Sequence, residues 1–223
     1  MKGFLAAVYH VVRKDLLVEA RTKQVTTTAA VFALLVVLAF AFSFVQTFAD
    51  PQLVGRGALW IAFVFAGTSG VTKTVGIESQ NAALDGLLLA PVDRSAIYVG
   101  KVLSTALFVV VVDLVTLVAA VVFLGYSPGA ATLPLVGVLV VAAFGFAAVA
   151  VVVSTLTHRS ALDELVMPVL LVPLVVPVLL AGIELTDALA AGRPTGTWLR
   201  LLCAYCGVLF LAGIATFDYV VEE

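Results

Sequence analysis

Long apolar runs separated by short polar stretches dominate the chain. The runs lie at about 25–48, 54–72, 97–124, 132–156, 166–184 and 198–220. Each approaches or exceeds the roughly 20 residues an α-helix needs to cross a hydrocarbon core about 30 Å thick. The pattern predicts an all-α, polytopic membrane protein with about six transmembrane helices. Residues 1–22 follow another rhythm: Phe4, Leu5, Val8, Val12 and Leu16 recur at helical spacing, with Lys2, Arg13, Lys14, Asp15 and Glu19 elsewhere on the wheel. This is the pattern of an amphipathic helix lying in the membrane interface, not of a span. No short apolar core with a small-residue cleavage site precedes the first run, so the N-terminus reads as retained.

An even number of spans puts both termini on one side. Lys2, Arg13, Lys14, Arg21, Lys23, Lys73, Arg94, Lys101 and Arg159 fall on that side, against Arg56, Arg193 and Arg200 opposite. The bias predicts that both termini are cytoplasmic. Trp60 and Trp198 fall towards the outward ends of their spans, where indole rings favour the headgroup level. Pro168, Pro173 and Pro177 predict a kinked or broken fifth span. Irregular backbone at membrane depth must be covered by protein or line a cavity, so this span is expected to face other helices, as a structural kink or as a gating element. Composition adds that water is not the main solvent: 63% of the 223 residues are hydrophobic, 12% are charged and the mean hydropathy is +1.20. One membrane domain, 1–223, accounts for the length, and no basic cluster marks a nucleic-acid partner.

Candidate chemistry is sparse. No G-x-x-x-x-G-K-[ST] phosphate cradle occurs; Gly100-Lys101 is followed by Val102 and opens a span. Nucleotide binding of that kind is therefore not expected of this chain, and no catalytic residue is assigned. Haem ligation needs an axial donor such as histidine, and His10 and His158 both fall on the cytoplasmic side, where they read as solvated polar residues. Cys203 and Cys206 have C-x-x-C spacing, but Gly207 stands where a haem-attachment motif needs histidine. Both thiols share one helical face and read as packing residues. Asp163 and Glu164, near His158 and Arg159, read as a solvated loop, with no metal site assigned. Asp113 lies amid Val109 to Val118, where an ionised carboxylate costs roughly 2.5–3.5 kcal/mol. A polar path, a subunit seam and a structural hydrogen bond all fit it.

The longest cytoplasmic connection, at 72–96, leads into the third span and reads TKTVGIESQNAALDGLLLAPVDRSAIYVGK from Thr72 to Lys101. Leu84, Leu87 and Leu88 give a short apolar ridge beside Glu78 and Asp85, and Pro91 ends any helix before Asp93, which can cap the next. A soluble partner can dock on such a ridge.

Phe65-Ala66-Gly67-Thr68, Glu78, and LDGLLLAPVDRSAIYVGK from Leu84 to Lys101 resemble the haem exporter protein B family, CcmB. The resemblance extends to RKDLLVEARTK from Arg13 to Lys23 and VPLVVPVLLAG from Val172 to Gly182, in the same order and spacing. It departs from the commoner pattern at Ser79-Gln80-Asn81-Ala82 and in the acidic ending from Asp218 to Glu223. The resemblance implies an ABC-2-type permease subunit of the cytochrome c maturation system in the inner membrane. It implies haem as cargo and ATP bound by a partner, an ABC ATP-binding subunit (CcmA-like). Further implied partners are a tryptophan-motif haem-handling membrane protein (CcmC-like), a small one-span subunit (CcmD-like), a haem chaperone (CcmE-like) and a second permease copy. On that reading Glu78, Leu84, Asp85, Gly86, Leu87, Leu88 and Pro91 form the ATPase-coupling segment. A passive scaffold for haem-handling partners is the alternative; a membrane enzyme lacks any Ser/His pair, H-E-x-x-H motif or facing carboxylates.

Overall fold

The computed structural model describes residues 2–44, 50–80, 92–157 and 163–222, with side chains for all of these except 2, 75, 76, 78–80, 157, 163–165 and 218–222. Among the described residues seven α-helices follow one another: α1 (Lys2–Thr22), α2 (Gln24–Phe44), α3 (Pro51–Gln80), α4 (Arg94–Leu124), α5 (Thr132–Thr157), α6 (Asp163–Ala190) and α7 (Gly196–Glu222). Helices α2 to α7 each contain a stretch long and apolar enough to cross a membrane, as the apolar runs predict. They form one bundle, and its two ends can be named by their charge. The basic end carries α1, Lys73 and Lys101; the opposite end carries Arg56 and Arg193.

Helix α1 meets α2 at a sharp corner. Lys23 takes φ 53° there, a left-handed conformation that costs a non-glycine residue about 1–2 kcal/mol. Glu19 offsets the strain twice: its carbonyl accepts from the Lys23 N–H at 2.7 Å, and its Oε1 accepts from the Thr26 N–H at 2.7 Å, satisfying a free donor in the first turn of α2.

Two apolar faces share α1. Val8 and Val11 are buried against α4, where Gly100 leaves room: a Cβ on Gly100 would stand 2.7 Å from Val11 Cβ and 3.3 Å from the Val8 carbonyl oxygen. The Ser104 hydroxyl donates to Asp15 Oδ2 at 2.8 Å and fastens the same seam. Leu5, Leu16 and Leu17 remain exposed, so the helix offers an apolar stripe to a membrane interface while the valine ridge holds it to the bundle. The helical wheel assigned Val12 to the apolar face; the residue that docks is Val11. Replacing Gly100 with leucine is expected to lever α1 off α4. Hydrogen exchange across residues 2–22 should then rise at least tenfold while the spans keep their protection; unchanged exchange would show that α1 does not depend on this contact.

Helices α3 and α5 sit at the centre. Their spans are 72% and 67% buried, against 22% for α2 and 17% for α7. Small residues permit this, because helices in lipid associate by close packing and not by hydrophobic exclusion. Ala58, Ala62 and Ala66 of α3, and Ala142, Ala143, Ala147 and Ala150 of α5, are all fully buried. Helix α2 packs on α3 and α4, α6 on α3 and α5, and α7 mainly on α5. Leu103, Leu107, Val111, Leu114, Val118 and Val122 leave the outer face of α4 exposed for lipid.

Two expectations are corrected. Helix α6 is neither broken nor fully covered: it runs without interruption from Asp163 to Ala190 through all three prolines. Met167, Leu171, Val175, Val178, Ala181 and Leu185 form a buried ridge, whereas Pro173 is exposed, Pro168 and Pro177 are half-buried and Val169 is 71% exposed. The lost N–H donors lie off the packed seam, and the ridge holds the helix on both sides of each proline. Trp60 is no headgroup anchor: it is fully buried among α3, α5 and α6. Trp198, at the start of α7, is half-buried at the edge of the same core.

Candidate functional site

At the basic end, α3 extends beyond its apolar stretch, which closes at Thr74. Its 30 residues measure about 45 Å at 1.5 Å per residue, against a hydrocarbon core of about 30 Å. Glu78 lies in the final turns; Leu84, Asp85, Gly86, Leu87, Leu88 and Pro91 lie outside the described residues. The chain returns at Asp93, which caps α4 as its sequence position predicts: its Oδ1 accepts from the Ser95 N–H at 3.0 Å and the Ser95 hydroxyl at 2.6 Å. The end of α3 at Gln80 and the start of α4 at Arg94 both lie at the basic end of the bundle.

Those hydrogen bonds, the Ser95 hydroxyl first, hold the Asp93 carboxyl below its usual value of 3.8. A folded-state pKa below the unfolded one adds stability that is fully present above 3.8 and is lost as pH falls through the lowered value. Fraying of the first turn of α4 is therefore expected to increase only below about pH 4. Hydrogen exchange at Ile97 and Tyr98 against pH checks this; in Asp93→Asn, which keeps a capping oxygen without the titration, the acid-dependent part should disappear.

At mid-span, Asp113 is 1% exposed and its Oδ2 has no hydrogen-bond partner among the described residues. Thr116, one turn on, donates instead to the Val112 carbonyl at 2.7 Å. Among the described residues, then, no polar group pairs with this buried oxygen.

At the opposite end, polar side chains meet across distant parts of the sequence. Arg56 Nη1 donates to Asp187 Oδ1 at 2.6 Å, and Arg193 pairs with the other oxygen of the same carboxylate. Gln52 holds the α4–α5 turn by donating to Ser127 Oγ at 3.2 Å and accepting from the Ser127 N–H at 3.1 Å. Tyr126 covers Gly55, and burial pushes its hydroxyl pKa up against the smaller opposing pull of Arg56. Gln52, Arg56, Tyr126, Ser127 and Asp187 line a cavity of about 530 Å³. Beneath it, Trp60 Nε1 donates to Thr186 Oγ1 at 2.9 Å. Sequence reasoning missed this cluster, because its bonded partners are up to 131 residues apart and share no local pattern.

His10 is exposed on α1 beside Tyr9, and His158 lies outside the described residues. Cys203 is exposed and Cys206 is buried, both as free thiols. The Cys206 sulfur occupies the space that a Cβ on Gly145 would need, which is a packing role on the α5–α7 seam.

A family model described as CcmB protein matches residues 6–220. The chain belongs to the CcmB family. It is accordingly a multi-pass membrane component of the haem export and cytochrome c maturation system, of a permease type and not of a known catalytic type, and it works with other subunits. Comparison with curated proteins returned no match.

Proposed function

We propose that this CcmB-family chain is the inner-membrane permease subunit through which a separate ABC ATP-binding subunit drives haem delivery, either by export or by release of the haem-loaded chaperone. Both termini are cytoplasmic on this reading, and a second permease copy, a tryptophan-motif haem-handling protein, a small one-span subunit and the chaperone complete the assembly. The observation that carries it is the extension of α3 beyond its apolar stretch at the basic end, which on this reading is the cytoplasmic side and precedes the rest of the Glu78–Pro91 segment in the chain. Leu84, Leu87 and Leu88 offer the apolar ridge there, with Glu78 and Asp85 beside it and Gly86 and Pro91 shaping the turn. Motion of the ATPase reaches the spans through α3 and α4, which pack against each other.

Affinity purification of the tagged chain in mild detergent, with identification of co-purifying subunits, a haem spectrum and an ATPase assay, tests the assignment. Asp85→Ala with Leu88→Ala should then abolish ATP-driven maturation while the complex still assembles. Maturation at the wild-type level in that variant would remove the coupling role, and a lone, haem-free, inactive chain from native membranes would remove the assignment.

A further inference from the structure

One face of α3 is polar at membrane depth. Thr68, Ser69, Thr72 and Lys73 follow one another at helical spacing along a groove of about 600 Å³ between α2, α3 and α6. A polar stripe on a span is costly unless a polar partner or a cavity receives it, and among the described residues Thr68 and Lys73 of this stripe are not satisfied by the chain. Thr72 donates to Met167 Sδ at 3.9 Å, and Thr74, Thr116, Thr155 and Thr186 each donate to the carbonyl four residues back. Thr68 does not: it is 8% exposed and its hydroxyl has no partner among the described residues. Lys73, in the same groove, is exposed, and no ion pair among the described residues includes it.

The other end of the groove is flat and apolar. Phe32 of α2 and Phe65 of α3 stack with ring centroids 6.5 Å apart and planes inclined by 27°, and Pro168 and Val172 of α6 form the facing wall. From Phe65 to Lys73 is about 12 Å along the helix. A groove of this volume suits a drug-sized ligand. We infer that this groove binds a flat amphiphile bearing carboxylate, with the carboxylate at Lys73, hydroxyl contacts from Ser69 and Thr72, and the apolar body on Phe32 and Phe65. The unmatched positive charge selects an anionic head, and the aromatic wall selects a planar body over a lipid chain. Identifying that amphiphile with a porphyrin dicarboxylate rests on the functional reading above.

The probe is metal-free protoporphyrin IX, whose fluorescence reports binding to the full chain in mild detergent, with its dimethyl ester as the uncharged control. The dicarboxylate should bind, and the ester should bind about tenfold more weakly. Lys73→Gln should cost the dicarboxylate a similar factor and the ester nothing, Lys73→Arg should restore affinity, and Ser69→Trp should block both probes. Elution volume and thermal midpoint confirm that each variant is folded. Equal affinity of Lys73→Gln and wild type would overturn the inference. So would displacement of the porphyrin by phosphatidylglycerol at bilayer levels, which marks a lipid site, or efficient intermolecular crosslinking of Ser69→Cys in nanodiscs, which marks an interface between copies. Failure of the chain to bind porphyrin while the complex retains its ATPase and haem removes the groove alone; Lys73-dependent binding by a chain that recruits no ATPase removes the functional reading and leaves the groove.

Discussion

Replacing Trp60 with alanine is expected to lower the unfolding free energy by about 3–5 kcal/mol, the range for removing a buried tryptophan. The indole is fully buried and joins α3 to α6. It meets Phe63 edge to face with centroids 5.4 Å apart, and Phe63 meets Phe146 of α5 at 5.5 Å. Its far edge fills the space above Gly182 of α6, where a Cβ would overlap the indole ring, and its N–H donates to Thr186. Thr186 in turn donates to the Gly182 carbonyl at 2.8 Å, so its own hydroxyl stays satisfied if the indole is lost. The cost is therefore chiefly packing, which is the main source of helix association in lipid. Trp60→Phe should recover most of the stability and lose about 1 kcal/mol with the hydrogen bond. Unfolding by SDS titration in mixed micelles, followed by helicity, measures both; a loss below about 1 kcal/mol in Trp60→Ala would show that these helices do not depend on this contact.

The second large effect has the opposite sign. Asp113→Val is expected to raise the unfolding free energy by about 1–3 kcal/mol, since it removes a buried carboxyl whose Oδ2 has no partner among the described residues. Most substitutions of fully buried residues destabilise, so a gain at this position is diagnostic. Val109, Val112 and Leu117 already surround the position on its own helix with apolar side chains. The same SDS titration gives the result, and a fall in stability would show that the carboxyl is satisfied in the folded protein. If Asp113 serves transport, the more stable variant should lose haem delivery by the assembled complex, which separates the functional reading from the structural one.

The difference between these two residues shows how far a one-dimensional reading reaches. Asp113 is conspicuous in the sequence, because a carboxylate amid valines violates the local pattern. Trp60 looked ordinary, and its position towards one end of a span suggested an interface ring. Its actual environment depends on Gly182, more than a hundred residues away, which is the one position on α6 whose missing side chain admits the indole. The prolines of α6 teach a related lesson. Local chemistry predicts a kinked or broken helix, and the buried ridge from Met167 to Leu185 keeps it unbroken despite the three missing donors. The proposed coupling segment rests only on its residue pattern and family resemblance, and Leu84 to Pro91 lie outside the described residues.

By itself the sequence determined the number and extent of the spans, the basic end of the bundle, the Asp93 cap and the CcmB resemblance. These follow from hydrophobic run length, charge placement and short motifs, all of which act over a few turns of helix. Tertiary structure alone decided that α3 and α5 are central, that Val11 docks on Gly100, that Arg56 meets Asp187 and that Thr68 and Lys73 share a groove. The physical reason is that lipid solvates every apolar helix face almost equally well. Which face turns inward is therefore settled by close-packing small residues and by polar partners on other helices, and neither can be read from the helix that carries them.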